Sequence, residues 1–241
     1  MLGVPERYKI GKNFDKKTFL SGELTKQEKR KFKEEVKEIT LTHQIIGEEI
    51  PSLINSDYNY QAILFFDIKV DDLKYSSFIG EILQKIVKPP AVLRFLDNKG
   101  NYLYCFASKR LNKIDSQQVV VDDIIFTQKS SSFFPDENVK LLKQHLAFSK
   151  ILNTTNKLTF YTEIITKAYL ITYKHLWAGA LKALETRIFY DIEKMNEIRM
   201  LLKKIINLQN QLNKAVILAE KASLNSEIKN ILLRLNEIAA I

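Results

Sequence analysis

The chain has 241 residues, 46% hydrophobic and 27% charged, so it can bury a core without disulfide or metal staples. Its single cysteine, Cys105, excludes an internal disulfide and any cysteine-based metal cluster, and it suits a reducing cytoplasm. The net charge of +9 fits an anionic partner or a plain lysine-rich surface, and its basic excess lies toward both ends around a near-neutral middle.

No apolar run approaches the ~18 residues of a membrane span, because Lys174 and His175 interrupt the best stretch. The opening MLGVPERYK has no apolar segment behind its charges, so no signal peptide and a cytoplasmic location are expected. Glycine (7) and proline (5) are scarce, which favours long helices.

Thr25 followed by Glu28 is a capping box and predicts a helix start. Phe32, Val36, Ile39 and His43 recur at helical spacing and read as its buried stripe, with His43 a hydrogen-bonded core residue. Lys26, Arg30, Lys33 and Lys37, with Lys29 at the edge, form a second stripe. These residues are the candidate nucleic-acid contact, which would follow phosphates without reading sequence. Glu34, Glu35 and Glu38 adjoin them, so the competing reading is a solvated face.

From Tyr60 the pattern changes. YQAILFFDIKV reads as a strand and SSFIGEILQKIV as a short amphipathic helix that Pro89 and Pro90 end. AVLRFLDNKGNYLYCFASKRL holds two apolar runs around Asp97-Asn98-Lys99-Gly100, a hairpin turn, and QVVVDDIIFT reads as another strand. Residues 50–130 thus predict about four mostly antiparallel strands, covered by the early helix.

Beyond Pro135 the signal is helical. Asp136 caps a helix carrying Val139, Leu142 and Leu146, and residues 158–189 predict one or two more. Ile198, Leu201, Ile205, Leu208, Leu212, Ala215, Ala219 and Ala222 form a heptad seam, continued after a phase break by Ile228, Ile231, Leu235 and Ile238. The two blocks predict an antiparallel hairpin with its corner in 213–226. The seam residues Ile198, Leu201, Ile205, Leu208 and Leu212 are the candidate partner interface. The expected fold class is α+β: a small mostly antiparallel sheet with covering helices in residues 1–135, then an all-helical region in 136–241 ending in a coiled-coil-like hairpin.

The opening GVPERYKIGKNFDKKTFL, the RKFKEEVKEIT segment, the strand FFDIKV and the heptad tail together resemble the bacterial domain-of-unknown-function family four-three-nine-one. The likeness runs through nearly the whole chain by order of segments, and departs after Thr40, where LTHQIIGEEI stands in place of a Trp-bearing pattern. Members are often encoded beside DNA methyltransferases and helicases of restriction and anti-phage loci. The resemblance therefore implies a defence-associated accessory protein, and it brings no catalytic residues.

Asp57, then Asp67 and Lys69 on one strand face, outline a metal-dependent nuclease site, in which acids hold a cation and the lysine positions water. The competing reading is a solvated Asp–Lys pair. Cys105 in NYLYCFAS reads as a buried strand residue, and His43, His145 and His175 lack metal-ligand spacing. No glycine-rich phosphate loop occurs. Phe160, Tyr161, Tyr169, Tyr173 and Trp177 suit helix cores better than base stacking.

The functional expectation is a non-enzymatic interaction subunit of a DNA-processing or anti-phage complex, with a helicase or methyltransferase subunit as protein partner and non-specific nucleic acid as a further one. No cofactor or metal is expected in that reading. The alternative is the nuclease centred on Asp67 and Lys69.

Overall fold

The computed structural model describes residues 1–20, 24–115, 118–134 and 136–240. The expected boundary at Pro135 lies outside them. The chain divides into two compact units, Met1–Tyr161 and Thr162–Ile241.

In the first unit, β1 (Lys9–Phe14) precedes α1 (Lys26–Glu35), β2 (Val36–Ile45), β3 (Leu53–Ile54), β4 (Asn59–Tyr60) and β5 (Ile63–Val70). Then come α2 (Ser76–Ile86), β6 (Ala91–Leu96), β7 (Asn101–Leu111), β8 (Val119–Phe126), β9 (Ser130–Ser131) and α3 (Glu137–His145). The main sheet runs β1-β2-β5-β6-β7-β8, with β9 on β7, while β3 and β4 pair separately. Its β5–β6 pair is parallel, with α2 as the crossover, and its other pairs are antiparallel. The expected fold class is observed, with more strands than the sequence pattern suggested.

The capping box forms: Glu28 N–H donates to Thr25 Oγ1, and Thr25 N–H donates to Glu28. The helix does not continue to His43, however. It ends at Glu35 and the chain turns directly into β2. Phe32, Val36 and Ile39 are buried as expected, but Ile39, Leu41, His43 and Ile45 are buried in alternation, as in a strand. The β-branched run ITLTHQI wins because it pairs on both sides, with β1 and with β5.

Register sets the two faces of the sheet. Leu41, Phe66, Leu93, Cys105 and Phe126 line up across five strands, as do Ile39, Ile68, Phe95 and Leu103 across four. Those rows form the main core with Phe32 and with Ile79, Ile82 and Leu83 of α2. A Cβ on Gly80 would lie 2.8 Å from the Phe126 ring and 3.2 Å from Cys105 Sγ, so glycine lets α2 approach the sheet this closely. The opposite face carries Thr40, Asp67, Arg94 and Tyr104 in one row. The β6–β7 turn forms as expected, with Gly100 at φ +75° and the Asp97 carboxylate accepting from Lys99 N–H and Asn101 N–H.

The second unit begins within α4 (Lys157–Thr172) and continues through α5 (Ala180–Ala183), α6 (Ile192–Lys214) and α7 (Leu218–Ala239). Buried inside it, Glu163 and Lys167 form an ion pair at 2.6 Å, one helical turn apart. Lys167 also lies 4.7 Å from the Phe189 ring centroid. Ion pairs Glu197–Arg234 and Lys204–Glu227 show that α6 and α7 run antiparallel. Met195, Ile198, Leu202, Ile205 and Leu208 are buried on α6, and Ile231, Leu235 and Ile238 on α7. The corner falls at Ala215–Ile217, inside the expected window, which puts Ala219 and Ala222 beyond it on the exposed start of α7.

Candidate functional site

Asp67, Arg94 and Tyr104 meet because they are register neighbours on three consecutive strands. Arg94 Nε donates to Asp67 Oδ1 at 2.8 Å and Nη2 donates to Oδ2 at 2.6 Å, a two-point pair at side-chain exposures of 26% and 20%. The buried Tyr104 hydroxyl lies beside Arg94, and burial pushes it up to about 12, so it stays a protonated donor. Tyr102 follows on the same face, its ring centroid 5.8 Å from that of Tyr104.

Arg94, Tyr102 and Tyr104 wall a cavity of about 490 Å³. Ser131 and Ser132 contribute from the β9 segment, Val139, Leu142 and Lys143 from α3, and Met1 to Gly3 from the start of the chain. Asp67 is therefore a member of this face, but its two oxygens are held by Arg94. A divalent cation at Asp67 would have to compete with that guanidinium. Lys69 pairs instead with Glu38 across the strands at 2.7 Å. Asp57 lies in a turn, its N–H bonded to Asn55 Oδ1. Among the described residues no cluster of three or more His, Cys, Asp or Glu is placed to hold a metal.

Sequence reasoning missed Arg94, Tyr102 and Tyr104. The available signal was a lone arginine at an alternate position of the apolar strand AVLRFL, where burial requires a partner.

A second cavity, about 480 Å³, is lined by Tyr60, Lys88, Lys109 and Arg110 among others. Lys109 Nζ donates to the carbonyls of Val87 and Pro89, at 2.5 and 3.1 Å, just past the end of α2. Burial pushes this lysine down to about 7. Cys105 is fully buried beside Gln84 and its thiol is pushed up to about 12, so it carries no thiolate at neutral pH. His43 is buried as expected, burial lowers its imidazole, and its Nδ1 has no hydrogen-bond partner among the described residues.

The basic stripe is shorter than expected. Lys26, Arg30 and Lys33 are exposed on α1 and Lys29 is half-buried. Lys37 has left the helix for β2, where it pairs with Asp71 at 2.6 Å. Arg30 reaches Glu34 at 3.7 Å.

In the hairpin, Ile198, Ile205 and Leu208 are buried, and Leu201 and Leu212 half-buried. The corner beyond them is apolar and exposed: Val216 at 90%, Ile217 at 66% and Leu218 at 81%. Ile217 is also the N-cap of α7 and supplies no capping side chain.

No helix among the described residues is long and apolar enough to cross a membrane. Residues 2–235 match a family model described as Domain of unknown function (DUF4391). No curated protein and no solved structure matches the chain.

Proposed function

We propose that this chain, which belongs to the DUF4391 family, is a non-enzymatic interaction subunit that docks onto a larger DNA-processing or anti-phage protein through the corner of its C-terminal hairpin. The exposed Val216-Ile217-Leu218 corner carries this reading. A helix–helix corner in water favours polar turn residues and a Ser, Thr, Asp or Asn N-cap, worth about 1 kcal/mol over an aliphatic residue. Here three consecutive exposed apolar residues stand where polar ones would stabilise the chain itself. The seam behind them already closes α6 on α7, so the corner is spare surface rather than unfinished core. Lys214, Glu220 and Lys221 flank it, so the matching socket is apolar with a rim of both charge signs.

The test replaces Val216, Ile217 and Leu218 together with serine and compares co-purification from the native host, with a photo-crosslinker at position 217. The expected partner is a helicase or methyltransferase subunit, crosslinked at the corner and lost from the triple variant while melting is no lower than wild type. Equal recovery with the variant, or no such subunit, overturns the proposal.

A further inference from the structure

The cavity beside Arg94 carries an inference independent of docking. We propose that it binds a mononucleotide-sized phosphate ester, with the phosphate at Arg94 and Lys143 and the ring along the wall of Leu96, Tyr102 and Leu142.

Its volume, about 490 Å³, falls in the range of small-molecule sites. Charge selects an anion. Arg94 and Lys143 line the cavity from two different elements, and the nearby acid Asp67 is already committed to Arg94. Asp67 occupies the Nε–Nη2 edge, and a guanidinium with five N–H donors keeps others for a ligand. With Asp67 offsetting Arg94, the three side chains keep one net positive charge, and a phosphate monoester suits them because its several oxygens can accept from the spare guanidinium N–H groups and from Lys143 together.

The polar wall is rich in donors. Tyr102, Tyr104, Ser131 and Ser132 all bring hydroxyls to it. Leu96, Val139 and Leu142 complete an apolar side suited to the non-ionic part of an ester.

Calorimetric titration of the full chain with AMP, UMP, adenosine, uridine and inorganic phosphate tests this. At least one monophosphate is expected to bind saturably, with its nucleoside and free phosphate each at least ~10-fold weaker, since both the charged and the ring contacts are used. Removing Arg94 would strand Asp67 and risk unfolding, so the informative variant is Lys143→Ala at an exposed position. It is expected to weaken the monophosphate about 5-fold and leave the nucleoside unaffected. Amide shifts on binding are expected at Tyr102, Ser131 and Ser132. No saturable monophosphate binding, equal binding of the nucleoside or free phosphate, or an unchanged Lys143→Ala variant overturns the proposal. The serine corner variant is expected to bind the nucleotide as wild type does, so this inference and the docking reading fail separately.

Discussion

Arg94 and Asp67 hold each other in a two-point pair, at 2.8 and 2.6 Å, because the parallel β5–β6 register sets them side by side. Each is only about a quarter exposed or less, so solvent screens the pair less than a surface ion pair. Asp67→Ala leaves the guanidinium half-buried and unpaired, and is expected to lose about 2 kcal/mol in urea denaturation. A loss under about 0.5 kcal/mol, the usual scatter of neutral surface changes, would show that the pair does not organise this face. The nuclease alternative is tested beside it: magnesium-dependent DNA cleavage that vanishes in Asp67→Asn and in Lys69→Ala would establish that reading.

Gly80 is where α2 touches the sheet. Adding a methyl there drives it into the Phe126 ring and Cys105 Sγ. Gly80→Ala is expected to destabilise by about 1–3 kcal/mol, outweighing the helix-propensity gain. Cys105 itself, buried and pushed up to about 12, is expected to resist iodoacetamide at pH 8 in the folded protein and react after denaturation. Rapid alkylation of the native chain would contradict the packing.

Lys109 links stability to pH. Its folded value is near 7, lowered by burial, against about 10.4 in an unfolded chain. Between those values the unfolded chain binds the extra proton, so this residue makes stability rise as pH climbs from about 7 to 10. A neutral amine has two N–H groups, matching the two carbonyls of Val87 and Pro89, while the nearby Cys105 thiol stays neutral in this window. Lys109→Met is expected to flatten that rise and to lower stability throughout by stranding the carbonyls. An unchanged pH slope would show that the lysine stays charged.

The seam and the corner of the hairpin separate by substitution. Leu208→Asp with Leu212→Asp puts one carboxylate at a buried position and one at a half-buried position. The pair is expected to cost several kcal/mol, on the order of 3, and to lower the melting temperature. The corner variant, with Val216, Ile217 and Leu218 as serine, is expected to melt no lower than wild type, because serine at position 217 supplies the missing N-cap. If both behave alike, seam and corner have no separate roles.

On α1, Lys26→Glu, Arg30→Glu and Lys33→Glu together test the candidate nucleic-acid contact. A phosphate contact predicts weaker binding to all DNA sequences alike and a shallower salt dependence. If wild type shows no salt-sensitive DNA or RNA binding, with or without its partner, the stripe is a wet surface. Lys37→Glu serves as a control, since its partner is Asp71, just past the end of β5.

Local chemistry alone determined much of this chain. The Thr25–Glu28 cap, the Asp97–Gly100 turn, the strand before Asp71, the amphipathic α2 and the hairpin corner each depend on residues close in sequence, and each formed where expected. The same locality explains the error at α1. Phe32, Val36, Ile39 and His43 satisfy a helical period and the following residues also satisfy a strand period, so only pairing with β1 and β5 could choose. The Arg94 cavity was invisible for a stronger reason. Its walls come from β6, β7, β9 and α3, and nothing local in AVLRFL names Asp67 as the partner of its arginine. Strand order and register decided that, because a sheet juxtaposes residues across strands rather than along them.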